Sequence, residues 1–177
     1  MNKIKKITVL TGLFLAISGA YFAAWLHGNY IFLKVKENSM RPGLCPGDIL
    51  FVEVIRNPEE EDYKQHVGDK LIFATKENRA AVKRLYAAPL QRVTYTLNRI
   101  DAESYDSLGV STCMSGTNTR SDPDSLVVGR NELFLAGDNL SISTDSRAFG
   151  PVPTSTVIGK VEATMSLRLH SCSCTNE

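Results

Sequence analysis

A long apolar run near the N-terminus constrains this chain more than any other feature. Ile7 to Leu26 contain no Asp, Glu, Lys or Arg, and Lys3, Lys5 and Lys6 precede them. A helix rises about 1.5 Å per residue, so this run would span roughly 30 Å, the thickness of a bilayer core. The alternative is a cleaved signal peptide, but its apolar core is normally only about 7 to 15 residues long. The run therefore predicts one transmembrane helix.

The residues that flank the run predict its orientation. Lysines mark the cytoplasmic side, and the aromatic residues Tyr21, Phe22, Trp25 and Tyr30 gather at the other end, as at a membrane interface. We expect residues 1–27 to form a cytoplasmic N-terminus and an anchor in the inner (cytoplasmic) membrane. Residues 28–177 would then form an extracytoplasmic domain. The lipid bilayer is the first expected partner.

Composition and pattern predict the class of that domain. A formal net charge of +1, without a basic stripe, argues against nucleic-acid binding. After the anchor, β-branched and aromatic segments alternate with Gly, Pro and Asp turns, which predicts a mainly β domain. Short helical turns are expected at 58–63 and 141–147, and a long polar loop from 101 to 123. The predicted strands are 31–35, 49–55, 70–75, 80–86, 92–97, 132–136 and 157–169.

Four cysteines, Cys45, Cys113, Cys172 and Cys174, allow three pairings if all of them form disulfides in an oxidising compartment. We expect the C-terminal tail to be held to Cys113 by one bond. The Cys172-Ser173-Cys174 pair lacks a second pair of Cys or His, so it does not predict a zinc site. No metal and no cofactor are expected.

Ser39 and Lys83 are the candidate catalytic pair. A serine hydroxyl attacks a carbonyl only when a neighbouring base takes its proton. None of the three histidines, His27, His66 and His170, stands in a motif with an acid partner. A lysine can serve as the base where an apolar pocket lowers its pKa, and Lys83 follows an Ala-Ala-Val segment in a predicted strand.

A second polar cluster follows the predicted strand 132–136. Gly137-Asp138-Asn139 begins it, and Ser143 and Asp145-Ser146-Arg147 continue it. A polar loop directly after an apolar strand is a common place for site residues. The alternative is a plain turn in which the Asp and the Arg pair with each other.

In order along the chain, these segments resemble the type I signal peptidases, membrane-anchored Ser/Lys proteases that remove signal peptides. The resemblance extends from residue 1 to about 165. It rests on Ser39-Met40-Arg41-Pro42, Pro46-Gly47-Asp48, Val67-Gly68-Asp69, Val82-Lys83-Arg84 and 137–153. It implies antiparallel sheets around a small barrel-like core.

The resemblance also implies roles. Ser39 would be the nucleophile and Lys83 the general base. Ser143 would orient the lysine amine, while Asp145 and Arg147 would form a supporting ion pair, with Asp138 in the same loop. The positions that match the substrate pockets for small side chains are Val35, Met40, Leu44 and Val82.

One departure from the family concerns the oxyanion. Some members have a hydroxyl two residues before the nucleophile, where this chain has Glu37. The backbone N–H of Ser39 is the natural donor. The chain therefore either relies on that backbone group or uses another donor.

The sequence alone leaves three functions open. The first is cleavage of signal-peptide-bearing preproteins. The second is processing of a pilin precursor, as in plasmid-transfer relatives of the same family, which a short chain with one anchor and a Cys-containing tail also fits. The third, from a different class, is a catalytically silent, membrane-tethered binding domain. Such a domain would be expected to lose the shared pattern of Ser39, Lys83 and Ser143.

Overall fold

The computed structural model describes residues 14–19, 21, 28–97, 99–102, 123–166 and 172. The chain divides into two units, Met1–Ile31 and Phe32–Glu177. In the first unit, residues 14–19 and 21 are helical. Most of the predicted anchor, including its lysines, lies outside the described residues. Within the described part of the chain, no helix has both the length and the apolar character needed to cross a bilayer.

The second unit is mainly β, as predicted, and all strands lie in it except for the first two residues of β1. Its larger sheet has seven strands in the order β1-β2-β10-β3-β4-β8-β9, and its smaller sheet has the order β6-β5-β7. The recorded pairings are antiparallel, and the larger sheet curls into a half-barrel. The strands are β1 (Tyr30–Lys34), β2 (Ile49–Val54), β3 (Lys70–Ala74), β4 (Ala80–Ala87), β5 (Arg92–Tyr95), β6 (Ile100–Ala102), β7 (Asp124–Val127), β8 (Glu132–Ala136), β9 (Val152–Pro153) and β10 (Val157–Met165).

Strands β4 and β8 lie at the centre of the core because both of their faces are covered. Leu85 and Leu135 pack in one apolar cluster, whereas Tyr86 and Phe134 pack in another. Successive side chains of a strand point to opposite faces, so a strand covered on both sides reads as a continuous apolar run, as residues 133–136 of β8 do. The ring of Tyr95 in the smaller sheet lies 5.0 Å from that of Phe134. This contact ties the two sheets together beside β4.

Several predicted boundaries need correction. The strand predicted at 92–97 ends at Tyr95. The first two positions of the predicted loop 101–123 belong to a short strand, β6, and a second short strand, β7, follows the loop. Residues 103–122 lie outside the described part. The two expected helical turns occur later than predicted, as a 3-10 helix at Tyr63–His66 and a helix α1 at Ser146–Phe149, and a 3-10 helix at Thr154–Thr156 was not predicted. The side chains of Asp62 and Asp145 cap these turns by accepting from backbone N–H groups, which sets where each begins.

The expected bond from the tail to Cys113 is wrong for Cys172, which forms a disulfide with Cys45. Their Cα atoms are 5.9 Å apart. The reason lies in the strand register, since Met165 at the end of β10 pairs with Ile49 at the start of β2. The tail therefore leaves the sheet close to the turn that contains Cys45. Cys113 and Cys174 lie outside the described residues.

Candidate active site

Lys83 is buried in the middle of β4, opposite Leu71 of β3. Within the described residues, its side chain forms no ion pair with a carboxylate. The amine Nζ donates instead to Ser143 Oγ at 2.9 Å. A buried lysine without an ion-pair partner is unusual, since an unpaired buried charge is costly.

The electrostatics of this site lower the pKa of Lys83. Burial is the largest effect and lowers the pKa of Lys83 below its ordinary value of 10.5. The negative charges of Asp145, Glu37 and Asp138 oppose the shift, while Arg147 adds to it. Desolvation is larger than the opposing effect of the nearby carboxylates, so the net shift is towards the neutral form. The site therefore holds an amine that can accept a proton at a lower pH than an exposed lysine.

Ser39 lies in a loop, residues 36–47, which is closed at its base by two backbone hydrogen bonds. The N–H of Val35 donates to Asp48 O at 2.9 Å, and the N–H of Gly47 donates to Val35 O at 2.8 Å. Within the loop, Leu44 N donates to Met40 O at 2.7 Å. This closure fixes the backbone on both sides of Ser39.

Gly137 brings the Ser39 loop and Ser143 together. A Cβ at Gly137 would lie 2.3 Å from the carbonyl oxygen of Ser39 and equally close to Ser143 Oγ. The two oxygens are therefore at most twice that distance apart, and a residue with a side chain would not fit between them. Among the described residues, the Lys83 amine bonds to the hydroxyl of Ser143 and not to that of Ser39.

Asp145 and Arg147 form a buried ion pair that supports this loop. Asp145 accepts from Arg147 Nε at 2.8 Å, from Arg147 Nη2 at 2.9 Å and from the N–H of Gly137 at 3.0 Å. Arg147 also donates to the carbonyl oxygens of Leu97, Leu140 and Ser143. Burial alone would raise the pKa of the Asp145 carboxyl, but hydrogen bonds from Arg147, Gly137 and Ser143 outweigh it and lower the pKa.

Asp138 has a partner that the sequence did not reveal. It accepts two hydrogen bonds from Arg84, at 2.7 Å from Nε and 2.6 Å from Nη2. Arg84 follows Lys83 in β4, so the two side chains point to opposite faces, and both are buried. The only signal in the sequence was this pair of adjacent cations in a strand. A Cβ at Gly43 would lie 2.2 Å from Asp138 Oδ2, so the Ser39 loop passes directly over this ion pair.

The four predicted pocket residues differ in exposure. Val35, Met40 and Leu44 are buried, and Val82 is half-buried. Met40 and Leu44 belong to neither of the two apolar clusters around β4 and β8. They are part of the Ser39 loop itself. Their role as substrate-pocket residues stays a prediction.

His66 departs from the expectation that no histidine has an acid partner. Its ring lies 3.0 Å from Glu61 Oε1 and 3.1 Å from Asp69 Oδ2. No serine hydroxyl contacts this ring among the described residues. The same part of the chain has no group of three or more His, Cys, Asp or Glu side chains arranged to hold a metal ion.

Comparison with known proteins identifies the family. The family model described as signal peptidase, peptidase S26 matches residues 4–166, which is most of the chain. The chain belongs to the S26 signal peptidase family. The matched region contains every residue of the site described above.

Curated relatives of this S26 family protein include signal peptidase IB from Staphylococcus aureus strains N315 and MW2. Each is 26% identical over 167 residues, which covers 83% of this chain and 84% of the relative. Among solved structures, a signal peptidase I from Enterococcus faecalis V583 is 26% identical. That match covers 53% of this chain and 93% of the other, with a TM-score of 0.42.

Proposed function

We propose that this S26 family protein is a membrane-anchored serine endopeptidase that removes signal peptides from exported precursors with Ser39 and Lys83. One observation carries the proposal. The amine of Lys83 is buried, forms no ion pair within the described residues and is held by the hydroxyl of Ser143. A lysine kept in this environment is suited to accept a proton from a serine and poorly suited to a purely structural ion pair.

The proposed reaction proceeds through an acyl-enzyme. Neutral Lys83 accepts the proton of Ser39 Oγ as this oxygen bonds to the carbon of the scissile peptide, whose carbonyl oxygen becomes an oxyanion. When the C–N bond breaks, the Lys83 ammonium returns a proton to the leaving nitrogen. Water then repeats the two steps on the ester and frees Ser39. Each step needs the amine to exchange one proton, and arginine cannot do so.

The surrounding residues would keep this amine in place. Ser143 accepts one N–H of Lys83, so the lone pair of the neutral amine is directed elsewhere, towards the Ser39 loop in this proposal. Asp145 and Arg147 fix the loop that carries Ser143. Asp138 and Arg84 fix the start of the same loop against β4. Their roles are therefore supporting.

The substrate assignment rests on family membership and on the apolar residues beside Ser39. Signal peptides end in small residues, and we propose that Val35, Met40, Leu44 and Val82 form the shallow pockets that receive them. An extended peptide presents alternate side chains to the same face, which suits two pockets next to one strand.

Anchoring by residues 7–26 is a further part of the proposal. The enzyme and the membrane-bound precursor would share one surface, which raises their effective concentration. A reporter fused after residue 177 should behave as extracytoplasmic. A cytoplasmic reporter would remove exported precursors from the list of substrates.

Cleavage by the full-length protein in detergent or liposomes is the direct test. The protein should cut a precursor after its signal peptide, and Ser39→Ala should abolish cutting. Ser155→Ala, at an exposed serine, is the matched control and should stay active. An acylating serine probe should label Ser39, as read by mass spectrometry. Cleavage by Ser39→Ala at the wild-type rate, or no cleavage by the wild type, would contradict the proposal.

A further inference from the structure

Asn139 makes an unusual set of hydrogen bonds to the Ser39 loop. Its side-chain Nδ2 donates to Asn38 O at 3.4 Å, and its backbone N–H donates to Ser39 O at 3.0 Å. One buried residue therefore holds two consecutive carbonyl groups that lie 101 and 100 positions earlier in the chain. Asn139 O also accepts from the N–H of Ser143 at 3.0 Å. Asn139 thus connects the backbone of Ser39 to the residue that holds Lys83.

The amide of Asn139 is itself oriented. Ser141 Oγ donates to Asn139 Oδ1 at 2.6 Å. The oxygen of the amide is therefore occupied, and the nitrogen faces Asn38 O. A second donor to Asn38 O is the N–H of Arg41, at 3.1 Å.

Planarity of the peptide bond gives these contacts a consequence. In a trans peptide, the C=O of one residue and the N–H of the next lie in one plane and point in opposite directions. Holding Asn38 O therefore sets the direction of the Ser39 N–H, and holding Ser39 O sets the direction of the Met40 N–H. Within the described residues, the N–H of Ser39 has no intramolecular acceptor.

We infer that Asn139 is a positioning residue that orients the Ser39 N–H as the oxyanion donor. The inference rests on the proposed function and concerns how the site stabilises the oxyanion. Glu37 occupies the position where some family members have a hydroxyl, and a carboxylate donates no hydrogen bond. A chain without that side-chain donor depends more on one backbone N–H, whose direction must be fixed before the reaction.

Asn139→Asp tests the inference in the full-length protein. The substitution keeps the backbone bonds and the size of the side chain, but it places an oxygen opposite Asn38 O. Removal of an oxyanion donor costs about 100- to 1,000-fold in kcat, and a misdirected donor should cost part of this, roughly 10- to 100-fold. KM should change by less than about 3-fold, because the contact acts mainly in the transition state. Asn57→Asp, at an exposed amide that bonds to Glu60, is the matched control.

A peptide boronic acid gives the readout that distinguishes positioning from folding. It forms a tetrahedral adduct on Ser39 with a boron-bound oxygen in place of the oxyanion. Its affinity should fall by the same factor as kcat/KM in Asn139→Asp, while the affinity for the cleaved signal peptide stays within about 3-fold. Unchanged kcat, or boronate affinity retained while kcat falls, would overturn the inference.

Ser141→Ala keeps the inference testable if Asn139→Asp does not fold. It leaves Asn139 in place and removes the hydroxyl that orients its amide. The expected loss of kcat is about 2- to 10-fold, the worth of one hydrogen bond, with a parallel loss of boronate affinity. Full activity in Ser141→Ala with an unfolded Asn139→Asp would show a structural role alone. Absence of cleavage by the wild type would instead reject the proposed function, and this inference with it.

Discussion

The Nζ atom of Lys83 donates to the hydroxyl of Ser143 at 2.9 Å, across 60 positions of the sequence. The bond joins the centre of β4 to the loop that follows β8, and it is made by an amine whose pKa is lowered by burial. Stability alone would favour an apolar side chain at this position. A buried lysine at this position therefore lowers stability, as expected of a residue that is kept for its function.

Replacement of Lys83 should separate activity from stability. Lys83→Met keeps the length of the side chain but removes the base, so cleavage should be abolished. The free energy of unfolding at neutral pH should stay equal or rise, by about 1.4 kcal/mol for each unit by which the pKa of Lys83 is lowered. Lys76→Met, at an exposed turn, should change neither quantity. Denaturant unfolding and precursor cleavage measure the two effects, and an active Lys83→Met would contradict the proposed base.

The rate should rise with pH through the lowered pKa of Lys83. In the proposed mechanism only the neutral amine accepts the proton of Ser39, so kcat/KM should climb as the amine loses its charge, at a pH below the ordinary value of 10.5. In Ser143→Ala the acceptor for the amine is lost, and we expect kcat to fall roughly 10- to 100-fold, the worth of one hydrogen bond to a charged group. Stopped assays from mildly acidic to alkaline pH measure the profile. A flat profile would speak against lysine as the base.

Asp145 should make the protein sensitive to acid. Its folded pKa lies below the ordinary value of 3.8, so its contribution to stability is present above that value and is lost as the pH falls through the lowered pKa. Asp145→Asn should cost about 3 to 5 kcal/mol at neutral pH, because it leaves the buried Arg147 without its partner. Its stability should then depend less on pH in acid than that of the wild type. Asp124→Asn, at an exposed carboxylate, is the control for both measurements.

The local sequence pattern predicted the strands of the larger sheet better than it predicted the contacts in the candidate site. Turn chemistry and alternation gave most strands of the larger sheet, because the turns contain glycines such as Gly47 and Gly68 with positive φ. The small strands β6 and β7 were missed, since they are short and border a polar segment. Each depends on β5 for its pairing, and no property of the segment alone reveals that.

The partners in the site could not be predicted because they are distant in sequence. Periodicity indicates which face a residue occupies, but it does not indicate which remote residue meets it. Arg84 and Asp138 are 54 positions apart, and Asn139 and Asn38 are 101 apart. The expected pairing of an Asp and an Arg within one loop is found for Asp145 and Arg147. Asp138, in contrast, pairs with Arg84 of β4.

Gly137→Ala should abolish the proposed activity by crowding. The new methyl group would lie 2.3 Å from Ser39 O and from Ser143 Oγ, so the two segments must move apart. We expect kcat to fall by at least about 100-fold, as when reacting groups are displaced by about 1 Å. Gly129→Ala is the matched control, because its methyl group would meet the mobile end of the Glu132 side chain. Circular dichroism checks that both variants are folded, and their rates of precursor cleavage are then compared. Equal rates would contradict the close approach at Gly137.

The disulfide between Cys45 and Cys172 should stabilise the oxidised protein. It closes a loop of 127 positions, and removal of a native disulfide typically costs about 2 to 5 kcal/mol. Cys172→Ser should therefore unfold at lower denaturant concentration than the wild type under oxidising conditions. The difference should disappear in a reductant, because both proteins then lack the bond. Non-reducing peptide mapping should find Cys45 joined to Cys172. A Cys113–Cys172 crosslink, or a stability gap that persists after reduction, would contradict this pairing.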